Sequence, residues 1–135
     1  MTVVREAMVS DPPTLGVSDS AQEAGKALAR PEVRAVFVCD DDRFVGVVTR
    51  KTLVREVVAT GLDPKTTPVG EIAEEPHYTI EASTPVEEAF QFMEEKDAER
   101  VPVVEGGRLV GVLSRSVLQR RLAEDEPPAL DSDLV

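Results

Sequence analysis

Two similar segments combine hydroxyl and basic side chains in a pattern suited to binding an anion. They are "GVVTRKTL", residues 46–53, and "GVLSRSVL", residues 111–118. Each predicts a strand that ends at a hydroxyl residue, Thr49 or Ser114, and turns directly into a helix. The first N–H groups of a helix lack helical acceptors and carry the positive end of the helix dipole. The pattern therefore predicts two strand-to-helix turns that favour a negatively charged ligand.

Basic residues and glycines complete both segments. Arg50 and Lys51 follow the first hydroxyl, and Arg115 follows the second, where each could pair with a phosphate group. Gly46 and Gly111 would permit a ligand or a neighbouring strand to approach closely, although packing within a hairpin also explains them. We expect binding chemistry at both turns.

Catalytic and metal-binding residues are scarce. The chain has one histidine and one cysteine, and we find neither a cluster of metal ligands nor a nucleophile motif. Cys39 ends the apolar run "AVFVC" and is predicted to be a structural, buried strand thiol rather than a redox centre. The sequence therefore predicts a protein that is not an enzyme and holds no metal.

The two segments belong to a longer internal repeat. Shifting the chain by 65 residues aligns residues 2–55 with residues 67–120 without a gap. The identical pairs include Val4 and Val69, Glu6 and Glu71, Arg43 and Arg108, Gly46 and Gly111, and Arg50 and Arg115. A gapless register of this length makes coincidence a poor explanation.

Each repeat predicts the element order helix, strand, helix, strand, strand, helix, which is an α+β fold. The last two strands are short, rich in valine and joined by "DDDR" or "EGGR", so each pair is predicted to be an antiparallel hairpin. We divide the chain into a first unit with its linker at residues 1–66, a second unit at residues 67–123, and an acidic tail at residues 124–135. Positions 65 residues apart are called repeat equivalents below.

Capping residues and apolar stripes predict where the helices begin and which of their sides are buried. Thr84, Pro85 and Glu87 predict a capped helix start, and Asp19 and Gln22 hold the equivalent places. The apolar stripes of the two helices are Val86, Ala89, Phe90 and Met93, and Ala21, Ala24, Gly25 and Leu28. The residues predicted on the buried sides of the final helices are Leu53, Val54, Val57, Val58, Leu118 and Leu122. The side chains of one stripe are bulky where those of the other are small. We therefore expect the two units to pack about a pseudo-twofold axis with cores filled by side chains of different sizes.

Charge and hydropathy narrow the function further. The formal net charge is −11, from 26 acidic and 15 basic side chains, which opposes binding to a nucleic-acid backbone. No apolar run is long enough to span a bilayer, and "MTVVREAMVS" lacks the features of a secretory signal. The sequence therefore predicts a cytoplasmic protein with neither nucleic acid nor membrane as a partner.

The ordered motifs resemble the CBS domain pair, also called the Bateman module, over nearly the whole chain. The matching segments are "VREAM" and "VGEIA" before each first strand, "SDSAQEA" and "ASTPVEEA" at each main helix, and "DDDRFVGVVT" and "RVPVVEGGRLVGVLS" at the hairpins. The resemblance implies two units packed about a pseudo-twofold axis with two clefts between them. It further implies a regulatory module that binds AMP, ADP, ATP or S-adenosylmethionine and acts on an effector protein, whose identity the sequence leaves open. Modules of this family commonly form homodimers, a flat disc of four units.

One departure from the family pattern lies at the third residue after each hydroxyl. The nucleotide-binding pattern has an aspartate there, which holds the ribose hydroxyls, whereas this chain has Thr52 and Val117. A hydrogen bond to a charged group contributes about 1.5 to 3 kcal/mol, so its loss weakens ribose binding. The hydroxyl of Thr52 is a partial substitute, and we favour the cleft built on Thr49 and Thr52.

Four further residues have two interpretations each. By resemblance, Arg100 stands where the family often contacts phosphate, or it pairs with an acidic side chain. His77 and Tyr78 either line an adenine pocket, where an aromatic face stacks on the base, or pack locally. Phe92 either serves a homodimer interface or flanks the core.

Two functions remain open from the sequence. The first is a sensor that binds an adenosine-containing ligand and passes the change to an effector. The alternative is a structural or dimerisation module whose degenerate clefts bind no adenosine ligand.

Overall fold

The structure is a computed structural model and describes residues 2–125. The elements of the first unit are α1 (Val4–Ala7), β1 (Val9–Ser10), β2 (Thr14–Gly16), α2 (Ala21–Leu28), β3 (Val36–Asp40), β4 (Arg43–Val48) and α3 (Arg50–Leu53), which continues as a π-helical turn (Val54–Val58). Those of the second unit are α4 (Val69–Ile72), β5 (Ile80–Glu81), α5 (Val86–Glu95), β6 (Arg100–Glu105), β7 (Arg108–Ser114) and α6 (Arg115–Asp125). The predicted element order is confirmed, with the short β1 added. Residues 126–135 of the predicted tail lie outside the described residues, and α6 includes residues 124 and 125.

The start of α2 lies one residue later than predicted. Ser20 is the N-cap, and its side-chain oxygen accepts a hydrogen bond of 3.2 Å from the N–H of Glu23. Asp19, the predicted cap, instead accepts from the N–H of Gly16 at 2.8 Å. Its carboxylate therefore fixes the turn after β2 rather than the helix end.

The start of α5 is displaced in the same way. The N-cap position is Pro85, which offers no side-chain acceptor, and the helix begins at Val86. The predicted cap at Thr84 is wrong because this residue still belongs to the preceding turn. Its carbonyl accepts a hydrogen bond of 2.8 Å from the N–H of Val4, on the helix of the other unit.

The strands form two half-sheets, and the short β1 of the first unit also pairs antiparallel with β7 of the second unit. In each half-sheet a short parallel strand pairs with a hairpin: β2 with β3 and β4, and β5 with β6 and β7. Both hairpins are antiparallel, as predicted. The half-sheets join where Arg43 on β4 pairs with Arg108 on β7, and these two residues are repeat equivalents. The pseudo-twofold axis therefore passes between them.

The units exchange their first segments. The N–H of Val69 bonds to the carbonyl of Asp19 at 2.7 Å, which is the repeat equivalent of the bond from Val4 to the carbonyl of Thr84. Consequently α1 contributes Val4 and Ala7 to the core of the second unit. Conversely, α4 contributes Val69 and Ile72 to the core of the first unit. Each core is completed by a helix from the other repeat.

The paired glycines lie where the exchanged segments cross the hairpins. A Cβ built on Gly111 would lie 2.7 Å from the carbonyl oxygen of Val9, and one on Gly46 would lie 2.8 Å from the Cβ of Ala73. Real Cβ atoms do not approach other heavy atoms this closely. Of the two explanations considered for these glycines, close approach by a neighbouring strand is the one that the structure supports.

The last helix of the first unit buries fewer side chains than predicted. Val57 is buried and Leu53 packs against the core, but Val54 is 58% exposed and Val58 is 72% exposed. Leu53 and Val57 share the inward face, so the residue that follows each of them is rotated out of that face. In α6 Leu118 is buried, and Leu122 packs partly against the same core. None of the helices between residues 2 and 125 is long and apolar enough to cross a membrane.

Candidate ligand cleft

A cleft of about 530 Å³ opens between the two units and spans the pseudo-twofold axis. Its walls come from repeat-equivalent positions: Val9 and Glu74, Pro12 and His77, Pro13 and Tyr78, Glu32 and Asp97, Val33 and Ala98, Ala35 and Arg100, and Val47 and Val112. The segments before β2 and β5 and the loops before β3 and β6 therefore face one another across it. The two clefts expected from the resemblance open into one continuous cavity.

The two halves of the cleft differ in chemistry. In the first half, Pro12, Pro13 and Ala35 line the wall, whereas His77, Tyr78 and Arg100 stand at their repeat equivalents. Proline and alanine offer no side-chain hydrogen bonds, so at these three pairs of positions the polar and aromatic side chains come from the second unit.

The ring of Tyr78 packs against the ring of Phe92. Their rings meet edge to face at 5.5 Å, and the ring of His77 lies 6.2 Å from that of Tyr78. Phe92 also packs against the core of the second unit, which favours its interpretation as a flank of the core. Tyr78 is 37% exposed, so one part of its ring remains open to the cleft.

Thr49 lines the cleft, but Thr52 does not. The Oγ1 of Thr52 accepts a 3.0 Å hydrogen bond from the N–H of Thr49, and the Oγ1 of Thr49 accepts one of 3.3 Å from the N–H of Thr52. This reciprocal capping box starts α3, and Thr52 is 0% exposed. The hydroxyl predicted to replace the ribose-binding carboxylate is thus already used within the helix cap.

The other predicted binding residues also lie outside the cleft wall. Arg50 donates to the carbonyl oxygen of Arg30 at 2.9 Å, and Lys51 is exposed. Arg115 pairs with Asp97 at 3.3 Å and with Glu99 at 3.4 Å.

Ser114 is buried and bonds within its own turn. Its Oγ accepts from the N–H of Val117 at 3.5 Å and lies 3.1 Å from the Oγ of Ser116. The structure therefore brings together four of the nine predicted residues: Thr49, His77, Tyr78 and Arg100. Ligand contacts by any of the nine stay predictions.

Two lining cations were missed by the sequence analysis. Arg34 and Lys96 lie in the loops before β3 and β6, and they join Arg100 around the cleft. Within residues 2–125, none of the ion pairs includes any of these three cations. The structure of residues 2–125 therefore does not support the alternative interpretation of Arg100, in which it pairs with an acidic side chain. A basic residue two positions before the Val-rich strand β3 was the signal that could have found Arg34, whereas Lys96, at the end of α5 and four positions before β6, has no comparable signal.

Three of the four acidic residues that line the cleft form ion pairs with arginines that lie outside it. Glu32 pairs with Arg30 at 3.0 Å, Asp97 pairs with Arg115, and Glu74 pairs with Arg55. The pKa of Glu32 is lowered, chiefly because its carboxylate accepts a bond from its own backbone N–H, and Arg30 adds to this against the opposing effect of burial. The cleft consequently favours anions although the chain as a whole is strongly acidic.

Cys39 lies apart from this cleft, at the end of β3. It is only partly buried, rather than buried as predicted, because the strand emerges towards its hairpin turn there. Burial raises the pKa of its thiol, and the nearby charge of Asp42 raises it further. Both effects disfavour the reactive thiolate.

Comparison with known proteins identifies the fold. The family model for the CBS domain matches residues 4–59 and again residues 69–124. The chain belongs to the CBS domain family.

The CBS-domain relatives include the Hypoxic response protein 1 of Mycobacterium tuberculosis, which is 33% identical over 125 residues, covering 92% of this chain and 87% of that protein. A crystal structure of Hypoxic Response Protein I with two coordinated zinc ions matches with a TM-score of 0.75 and 31% identity, covering 90% of this chain and 99% of that one. CBSX2 in complex with AMP matches with a TM-score of 0.72 at 23% identity, covering 92% of this chain and 98% of that one, which shows the shared fold. Among residues 2–125 of the present chain, no group of three or more histidine, cysteine or acidic side chains is placed to hold a metal ion.

Proposed function

We propose that this CBS-domain protein is a non-catalytic regulatory module that binds an adenosine-containing anion in the cleft on its pseudo-twofold axis. The observation that carries the proposal is the charge arrangement of the cleft. Arg34, Lys96 and Arg100 line it without ion-pair partners among residues 2–125, whereas most of its acids are already paired.

The cleft offers one group for each part of a nucleotide. The partly exposed ring of Tyr78 can stack on or pack against the adenine, and the hydroxyl of Thr49 can bond to the sugar or phosphate. Arg100 and Arg34 present planar, bidentate donors to the phosphate. A volume of about 530 Å³ falls in the range typical of small-molecule sites.

The same charges rank the candidate ligands. Three unpaired cations favour AMP, ADP and ATP, which are anions, over S-adenosylmethionine, whose sulfonium is positive. Because Thr52 and Val117 supply no ribose-binding carboxylate, we expect weak binding, with the phosphate contributing most of the affinity. CBSX2, in which the fold accommodates AMP, is compatible with this ligand class.

Titration with AMP, ADP, ATP and S-adenosylmethionine, followed by calorimetry and thermal shift, tests the proposal. We expect at least one nucleotide to raise the melting temperature as the logarithm of its concentration. Replacing Arg100 or Arg34 by alanine should weaken binding about ten-fold each, the equivalent of about 1.4 kcal/mol. Arg120→Ala, an exposed α6 variant outside the cleft, is the matched control and should bind as the wild type does. Unchanged melting with all four ligands at millimolar concentration would refute the proposal.

A structural module with an empty cleft is the second candidate, and one observation favours it. Thr52 is buried in the capping box and Val117 is apolar, so neither unit presents the group that holds ribose in the family pattern. The titration separates the two functions, because a structural module gains no stability from any of the four ligands. A homodimeric state, an effector protein and a cytoplasmic location stay predictions under both.

A further inference from the structure

Arg50 and Arg115 are repeat equivalents that contact the two loops carrying cations of the cleft. Each is the first residue of its helix, α3 or α6. Arg50 donates to the carbonyl oxygen of Arg30, which begins the loop that carries Arg34. Arg115 contacts the loop between α5 and β6, which carries Lys96. Both arginines therefore act on a loop of the cleft wall rather than line the cleft themselves.

The contact made by Arg115 is the more extensive of the two. Its backbone N–H donates to the carbonyl oxygen of Glu99 at 2.8 Å. Its guanidinium lies 3.3 Å from the Oδ1 of Asp97 and 3.4 Å from the Oε2 of Glu99. Arg50 bonds to a neutral carbonyl, so only the contact in the second unit also controls carboxylates.

Asp97 is the acidic residue of this loop that lines the cleft. Its side chain is 92% exposed, so its pair with Arg115 contributes little to folding stability. Lys96 and Arg100, called the neighbouring cations below, are one and three residues away and also line the cleft. A carboxylate released from Arg115 is close enough along the chain to pair with either of them. Such a pair would use the charge that an anionic ligand needs.

We propose that Arg115 is a positioning residue of the cleft, which holds the carboxylate of Asp97 so that the neighbouring cations stay available to an anion. The assignment rests on the proposed function in one respect, namely that an anion binds in this cleft. It does not depend on the adenosine part of the ligand. The pair matters for binding rather than for folding, because it decides whether the neighbouring cations meet a ligand or a carboxylate of their own chain.

A double-mutant cycle on Arg115 and Asp97 tests the proposal by calorimetry, with AMP, ADP, ATP and inorganic pyrophosphate as probes. We expect Arg115→Ala to weaken binding about ten-fold. Asp97→Asn should restore most of that loss in the Arg115→Ala protein. In the wild type the same substitution should change affinity less than about two-fold, because the carboxylate is already paired there.

Asparagine is a suitable replacement because the φ of Asp97 is 51°, in the left-handed region that asparagine also adopts readily. The substitution thus removes the charge and keeps the backbone. A loss caused only by a loosened loop would not be restored by it, so the restoration distinguishes positioning of the carboxylate from a general structural role.

Two further variants are matched controls. Arg120→Ala removes the same charge from an exposed position on α6 outside the cleft and should bind as the wild type does. Arg50→Ala removes the equivalent loop contact, which involves no carboxylate, and adding Asp97→Asn to it should leave its affinity unchanged. Arg115→Gln repeats the cycle if Arg115→Ala does not give the wild-type circular dichroism spectrum.

The outcomes separate this assignment from the proposed function. Wild-type affinity in Arg115→Ala, or an equal effect of Asp97→Asn in both backgrounds, overturns the assignment and leaves the proposed function standing. The expected cycle with pyrophosphate, but no binding of any nucleotide, supports the assignment and refutes the adenosine ligand. A wild type that binds none of the four probes overturns both.

Discussion

At the scale of single residues, the capping box of Thr49 and Thr52 decides what the strand-to-helix turn can do. Each hydroxyl oxygen accepts a hydrogen bond from the N–H of the other residue, and the side chain of Thr52 is fully buried. The sequence predicted an anion site at this helix start because its first N–H groups lack helical acceptors. That prediction did not include the cap, in which the N–H of Thr52 already donates to the Oγ1 of Thr49. The residues that remain open in the cleft are Thr49, Tyr78 and the unpaired cations.

Replacing Thr52 by valine tests the importance of this cap. Valine keeps the shape but removes the hydroxyl, which leaves the N–H of Thr49 without its acceptor, so we expect a loss of about 1 to 3 kcal/mol in the free energy of unfolding. Urea unfolding measures it. Thr66→Val, at an exposed position whose side chain makes none of the hydrogen bonds found in residues 2–125, is the control and should change stability by less than about 0.5 kcal/mol. Equal stability of the two variants would contradict a structural role for the cap.

At the scale of elements, the paired glycines permit the exchanged segments to cross the hairpins. Gly111 lies on β7 directly beneath Met8 and Val9, and Gly46 lies on β4 beneath Ala73 and Glu74. Gly46 and Gly111 are repeat equivalents, and each lies where a segment of the other unit crosses its hairpin. Close approach of that segment therefore explains why both positions are glycine.

Replacing Gly111 by alanine should destabilise the protein although alanine is a better residue for an ordinary strand. The new methyl group would overlap the carbonyl of Val9 and the side chain of Met8, and overpacking of this kind costs about 1 to 3 kcal/mol. Differential scanning calorimetry or urea unfolding measures the loss. Gly16→Ala is the control, because a Cβ there meets only ordinary contacts at 3.7 Å and beyond. The explanation fails if both substitutions leave the melting temperature unchanged.

At the scale of the whole molecule, the exchange of α1 and α4 makes the two units one folding unit. Neither core is complete without the other repeat, since Val4 and Ala7 belong to one cluster and Val69 and Ile72 belong to the other. A chain of 135 residues with cores this small gains from sharing them. A ligand bound across the axis would therefore contact both units of a single cooperative body.

Unfolding in urea should consequently show one transition whichever unit is observed. The chain provides a probe in each unit: Cys39 in the first, through thiol labelling, and Tyr78 in the second, through fluorescence. Ile72→Ala removes a buried side chain from the core of the first unit and should destabilise by about 2 to 5 kcal/mol. Both probes should shift to the same lower midpoint in that variant. Separate midpoints for Cys39 and Tyr78 would show that the units unfold independently.

The sequence by itself determined the repeat, the order of elements, the two antiparallel hairpins and the resemblance to the CBS domain pair. These depend on local periodicity and on turn residues, which are visible along one chain. The same local signals placed the starts of α2 and α5 one residue too early and predicted Val54 and Val58 on the buried side, because caps and burial depend on which neighbour is present.

Only the tertiary structure decided which residues share the cleft. Arg34, Lys96 and Arg100 are brought around one cavity by two loops that the pseudo-twofold axis places face to face, while Thr52 and Ser114 turn into their own helix caps. Ion pairing also depends on the tertiary structure, because Arg30, Arg55 and Arg115 pair with three of the four acidic residues of the cleft from outside it. The amino-acid types fix the net charge of the chain, but the three-dimensional pairing of those charges decides that this acidic protein has a cleft suited to an anion.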